Sequence, residues 1–304
     1  MLKELLGLLN LASPYLLLYT FYPTLALSPF SIVIYSFLIG VYTVFMAYQS
    51  SRKLEKSLGY RPQTPYKEAF EAEIRAVGLK ETQTSVQYAF NDENIALTIF
   101  NTIVIDPTMW RGIENDEQFT KVQQILQSHI IPTIPADKQE LLHSIKSILN
   151  EPSQRFIFRH ELGHVKRNYG VRKLLVIGIQ AFLVCITTAT IAMSLIEVIN
   201  GYVLFCASVL FAYLLDVLST LASNVIFKVP EEYAADLFAT KFSTREEIEA
   251  AANFFEKYDE VSKNYRLKHT PFWQIYLPDI FSKGYFNGQE RARYLRKIAK
   301  RKSM

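Results

Sequence analysis

Cysteine is nearly missing from this 304-residue chain, which has only two, Cys185 and Cys206. Two cysteines make no disulfide framework. Both fall inside long apolar runs, so packing is their default role and they carry no information on redox compartment. The sequence also has no glycine-rich phosphate loop, no internal repeat and no low-complexity tract. Charge is thin: 20% of residues are charged and 50% hydrophobic, too apolar for a typical soluble enzyme and too charged for a pure membrane bundle. A cleavable leader is not expected either. In MLKELLGLLNLASPYLLL, Glu4 occupies what would be the cationic region, and no small-x-small site precedes Pro14.

What the chain does have is apolar length. The runs 174–199 and 202–227 each exceed the ~20 residues that cross a bilayer. A third candidate is PFSIVIYSFLIGVYTVFMAY at 29–48. A weaker one at 10–27, interrupted by Pro14 and Pro23, reads as a crossing or a re-entrant segment. Arg52, Lys53 and Lys56 follow one span, and Lys166, Arg167, Arg172 and Lys173 precede the next. The connectors YPTLALSP and INGY carry no Lys or Arg, so segment 49–173 is expected on the cytoplasmic side. The net charge of +4 is then membrane-surface chemistry, and no nucleic-acid partner is expected. The terminal basic run RARYLRKIAKRKSM reads as a solvated helix face or as a contact with anionic headgroups.

Histidine is scarce, with five in all, yet two stand four apart in RHELGH, residues 159–164. On a helix, His160 and His164 share a face and can hold one metal ion, with Glu161 beside it to take a proton from a polarised water. Such a word recurs by chance, so it needs a third ligand and a plausible place. Two crossings return the chain to the same side near residue 229, where VPEEYAADLFATKF follows. Pro230 suits a helix start. Glu232 and Asp236 then lie one turn apart, the first able to complete a two-histidine, one-glutamate site and the second able to orient a ligating histidine. Their acidity also suits a helix N-terminus, and for Glu231 that helix-dipole effect is the whole expectation. His129 and His143 have no ligand spacing and read as surface residues.

HELGH at 160–164, a pair of apolar spans and EYAAD at 232–236 together resemble the membrane-anchored zinc peptidases that include HtpX and the CAAX prenyl protease, whose second motif is ExxAD. The resemblance implies one zinc per chain on His160, His164 and Glu232, with Glu161 as general base and Asp236 behind a histidine. QERARYLRKI resembles the family's ERIxxL segment and maps a substrate- or transition-state-contacting arginine onto Arg291. The family's His-Pro is missing. KGYFNG stands in the interval, with Tyr285 near the expected position as a donor to an oxyanion. Residues 94–106, NIALTIFNTIVID, read as a hairpin turning at Phe100-Asn101, whose edge could take an extended peptide.

The expected fold is a mostly α membrane protein. Its α+β, gluzincin-like catalytic domain is interrupted by a transmembrane hairpin and has a small β-hairpin ahead of the HExxH helix. The expected parts are a membrane hairpin at 1–50, a catalytic segment at 51–172, a second hairpin at 173–228 and a helical segment at 229–304, with a further amphipathic helix at 246–258. The expected activity is cleavage of membrane or membrane-proximal proteins in a bacterial cell membrane, with the site facing the cytoplasm and protein substrates and the bilayer as partners. A site-2-type intramembrane protease is disfavoured. Arg155, Arg159, Lys166 and Arg167 surround the motif, and each would cost about 2.5–3.5 kcal/mol at the bilayer centre. The alternative from another class is a catalytically silent scaffold or chaperone-like binder that retains the fold.

Overall fold

The computed structural model describes residues 28–57, 61–88, 95–106, 110, 136–195, 201–269 and 288–302. The segment 10–27, His129 and Tyr285 lie outside the described residues. The chain divides into two compact units: residues up to Ser50 with Arg172–Asn224, and Ser51–Val171 with Val225 onward.

The first unit is helical. It holds most of α1 (Pro29–Ser57), most of α5 (Tyr169–Leu195) and α6 (Gly201–Ser223). Its apolar side chains point outward: Phe30, Phe37, Leu175, Leu183, Leu210 and Leu218 are all more than half exposed, and α5 has no buried residue. This inverts a water-soluble bundle and is the surface a lipid-facing helix presents. α1 and α5 meet through glycine, since a Cβ on Gly40 would lie 3.0 Å from the Gly178 carbonyl oxygen and one on Gly178 would lie 2.5 Å from a Val44 methyl. Gln180 of α5 donates to the Ser219 carbonyl of α6 at 2.8 Å, a polar tie in apolar surroundings.

The second unit contains α2 (Tyr66–Ala76), β1 (Ser85–Tyr88), β2 (Ala96–Ile99), β3 (Thr102–Ile105), α3 (Ala136–Ile148), α4 (Glu151–Lys166), α7 (Val229–Phe242), α8 (Arg245–His269) and α9 (Gly288–Arg301). β2 and β3 form the expected hairpin, pairing Ala96 with Ile105 and Ile99 with Thr102. Phe100 turns it at φ +52°, with the Arg52 guanidinium 5.0 Å from its ring. β1, which the sequence reading did not contain, adds in parallel to β3. The order is therefore β1-β3-β2, and among the described residues β2 is an edge strand.

α4, the HELGH helix, is buried on nearly every side from Ser153 to Val165, so polar residues within it must find partners. Asn150 caps it by accepting the Ser153 N–H at 3.0 Å while the Ser153 hydroxyl answers the Asn150 N–H, and Pro152 occupies the first turn. One core packs Phe158 and Leu162 of α4 against the sheet residues Tyr88, Ile103 and Ile105 and against Phe254 of α8. A second is rich in alanine: Ala239, Ala251, Ala252, Ala292 and Ala299 let α7, α8 and α9 lie close around Phe156.

Two expectations need correcting. Pro230 lies in the first turn of α7 as expected, but no break precedes it, because helical backbone runs without interruption from Gly201 to Phe242 through a π segment, Asn224–Lys228. Proline lacks the N–H of an α turn and its ring crowds the carbonyl four residues back. A wider turn just ahead of it relieves both problems without ending the helix. The amphipathic helix expected at 246–258 extends to His269. Among the described residues, three helices are long and apolar enough to cross a membrane: Pro29–Lys53, Tyr169–Leu195 and Cys206–Phe242.

Candidate metal centre and active site

The rings of His160 and His164 stand perpendicular, 4.8 Å apart between centroids, with their Nε2 atoms 3.2 Å apart. α7 brings Glu232 to the same point, Oε2 at 3.2 Å from His160 Nε2 and Oε1 at 3.6 Å from His164 Nε2. Among the described residues these three side chains form the cluster whose donor atoms all lie within 4.8 Å of one another. Two imidazole lone pairs at 3.2 Å repel each other unless a proton or a metal ion lies between them. Two imidazoles and one carboxylate, with a fourth side left open, are the donor set of a catalytic zinc, and the residues present fit that ion.

The helices can approach this closely because of Gly163. A Cβ there would lie 3.0 Å from the Ala235 Cα and 3.2 Å from its carbonyl oxygen. Glycine in the first motif and alanine in the second thus set how near α4 and α7 come.

Behind His160, Asp236 Oδ1 lies 2.8 Å from His160 Nδ1, which orients the ring with Nε2 toward the cluster. Arg291 of α9 grips the same carboxylate, its Nε donating to Oδ2 at 2.7 Å and its Nη2 to Oδ1. The guanidinium also rests 3.6 Å from the centre of the Phe255 ring, and its Nη1 is 3.9 Å from Glu232. Burial and the neighbouring Arg291 oppose protonation of His160, but Asp236 and Glu232 outweigh both and raise its pKa to about 9. His164 is held differently. Among the described residues His164 Nδ1 is buried without a hydrogen-bond partner, and its ring packs 4.6 Å from Tyr169, which in turn stacks on Phe227.

Glu161, 8% exposed, accepts a hydrogen bond at Oε2 from the Thr98 hydroxyl at 2.7 Å. Thr98 lies on the edge strand β2, so one hydroxyl joins the strand to the motif. The sequence reading missed it, because nothing in a β-branched run marks one threonine for a partner 63 residues away. Arg159, expected among the charges around the motif, is buried. It donates to Glu73 of α2 at 2.8 Å and to Glu247 of α8 at 2.6 Å, tying three helices together. Glu231 also departs from its expected helix-dipole role. It is 1% exposed, and both its oxygens accept from Arg167 at 3.2 Å. His143 is exposed on α3.

Residues 138–287 match the sequence profile of Peptidase family M48. The chain is a member of peptidase family M48. This is the family of HtpX and the CAAX prenyl protease, and its members are zinc metallopeptidases. The M48 match takes in His160, Glu161, His164, Glu232, Asp236 and Tyr285 and ends before Arg291. No curated protein and no solved structure matches the chain.

Proposed function

We propose that this M48 chain is a membrane-embedded zinc endopeptidase that cleaves membrane or membrane-proximal proteins, in a bacterial cell membrane with its site on the cytoplasmic side. The observation that carries the proposal is the convergence of His160, His164 and Glu232, from helices far apart in sequence, on one point beside the carboxylate of Glu161. Three outward-apolar helices and the Lys and Arg residues flanking 49–173 support the membrane and its sidedness.

His160, His164 and Glu232 would hold one zinc ion, which when bound polarises a scissile carbonyl and lowers the pKa of a water to about 7. Glu161 takes the proton of the attacking water and passes it to the leaving amine nitrogen. With Thr98 holding Oε2, the other oxygen is left for the proton. Asp236 keeps Nδ1 of His160 protonated and Nε2 free as a donor atom. Arg291, bidentate to Asp236, fixes that carboxylate and turns a cationic edge toward the site, where a developing oxyanion would meet it. An extended substrate laid along the β2 edge by backbone hydrogen bonds would pass beside Glu161. Tyr285 is retained as a second oxyanion donor on the strength of its place in the motif alone.

The test is Glu161→Gln in the full-length protein. Zinc content by elemental analysis should stay at that of the parent, while hydrolysis of an unfolded protein substrate falls by about 10²–10⁴ or more. Undiminished cleavage would remove Glu161 from the mechanism. Absence of zinc from the parent protein would favour the silent scaffold.

A further inference from the structure

Between α7 and α9 lies a cavity of about 490 Å³ that the proposed chemistry does not use, lined by Tyr233, Leu237, Tyr294, Lys297, Ile298 and Arg301. Tyr233 and Leu237 each follow a site residue by one position, so they face about 100° away from Glu232 and Asp236 around α7. The floor is apolar and open. Tyr233 and Leu237 are each 40% exposed, and the Tyr233 and Tyr294 rings pack 4.6 Å apart. The rim is cationic, and its two cations, like Arg293 outside the groove, lack the partners that hold Arg291, Arg296 and Lys302. Arg291 is matched by Asp236, Arg296 by Glu256, and Lys302 by the Ser243 carbonyl, whereas Lys297 and Arg301, one turn apart, have no carboxylate within pairing distance among the described residues.

The wall that α7 supplies ends a helical run that starts deep in apolar sequence. The apolar run 202–227 already exceeds the ~20 residues that cross the hydrocarbon of a bilayer. The helical turns beyond it, which carry Tyr233 and Leu237, therefore belong to the headgroup zone, where tyrosine and basic residues gather. We infer that the groove holds an anionic phospholipid, its phosphate between Lys297 and Arg301 and its first acyl chain against Leu237, Ile298 and the tyrosine pair. An acidic peptide fits less well. Both walls are helices, so an extended chain finds no strand edge to pair with. This inference rests on the membrane reading above and not on the peptidase chemistry, so its test measures lipid and not cleavage.

The full-length protein, stripped of lipid in detergent, would be titrated with phosphatidylglycerol or with phosphatidylcholine of the same chains and read by native mass spectrometry. The wild type should retain phosphatidylglycerol in preference. Lys297→Glu and Arg301→Glu should each weaken that binding at least about five-fold, the value of losing one basic residue at an anionic surface, because each also adds a negative charge. Arg293→Glu, which reverses an exposed charge on the same helix but outside the groove, should change it less than two-fold. Leu237→Trp, which fills the floor without altering charge, should weaken binding as well, and an unchanged melting curve would show that the fold is intact. Equal retention of the two lipids would overturn the inference, as would an Arg293→Glu effect as large as those at the groove, which would mean bulk charge attraction. So would full displacement by glycerol phosphate, which would mean a free-phosphate site, or preferential capture of an acidic peptide.

Discussion

Glu231 and Glu232 are neighbours in the chain with unlike surroundings. Glu232 faces two imidazoles, while Glu231 is sealed against Arg167. Glu232→Gln should therefore abolish stoichiometric zinc and activity, since one of three protein ligands is lost. Glu231→Gln should keep the metal and lower stability by about 1–2 kcal/mol, because the partner arginine is 39% exposed and water can replace part of the lost bond. Zinc analysis and thermal melts of both variants check this pair. For Thr98→Val the expectation is retained zinc, a KM close to the parent value and a kcat about 10–100-fold lower, with Thr98→Ser restoring most of the loss. A fall in KM-dependent binding alone would detach Thr98 from Glu161. That Glu232 and not Glu231 lies beside the two histidines was legible in the sequence, because Asp236 four residues on shares its face. The burial of Glu231 was not. Its partner lies 64 positions away, and a carboxylate in a first turn looks the same whether or not it is covered.

At the scale of elements, periodicity was readable wherever the determinant was local. HELGH marks a helix and the two β-branched runs about Phe100-Asn101 mark a hairpin, while the Asn150 cap and Pro152 at the helix start come from the structure. β1 escaped because a four-residue strand in parallel pairing has no turn to announce it. The continuous helix through Pro230 escaped because the wide turn that tolerates the proline is a backbone choice with no residue signature. Arg159 is the clearest case of an element-level role hidden behind an ordinary charge. Since it joins α2, α4 and α8, Arg159→Met should destabilise the second unit by on the order of 3 kcal/mol by stranding the buried Glu247. Chemical denaturation of the purified protein measures this. A change under 1 kcal/mol would mean that Glu73 and Glu247 are satisfied without it.

For the molecule as a whole, the site residues lie on both sides of the 174–227 apolar stretch, so the two ends of that stretch must emerge on one side of the membrane for the cluster to exist in the cell. Reporter fusions ending after residues 60, 168 and 243 should report the same compartment, and one ending within 196–200 the opposite one. Opposite locations for 168 and 243 would be incompatible with a shared ion. The expectation of this arrangement comes from apolar run lengths and the placement of Lys and Arg. That the 94–106 hairpin offers an edge is expected from the sequence; that β2 rather than β3 is that edge among the described residues is not, because it depends on β1 pairing with β3.

The contact between Gly163 and Ala235 bears on how such proteins are recognised from sequence. Written as strings, HExxH and ExxAD leave position 163 free and treat position 235 as a letter with no stated reason. In three dimensions the two letters are one word, a backbone-to-backbone touch that a Cβ at 163 would spoil. A search that reads them jointly, asking for a small residue at one whenever the other is present, would discard chance matches that carry every ligand yet encode two helices too far apart to share an ion.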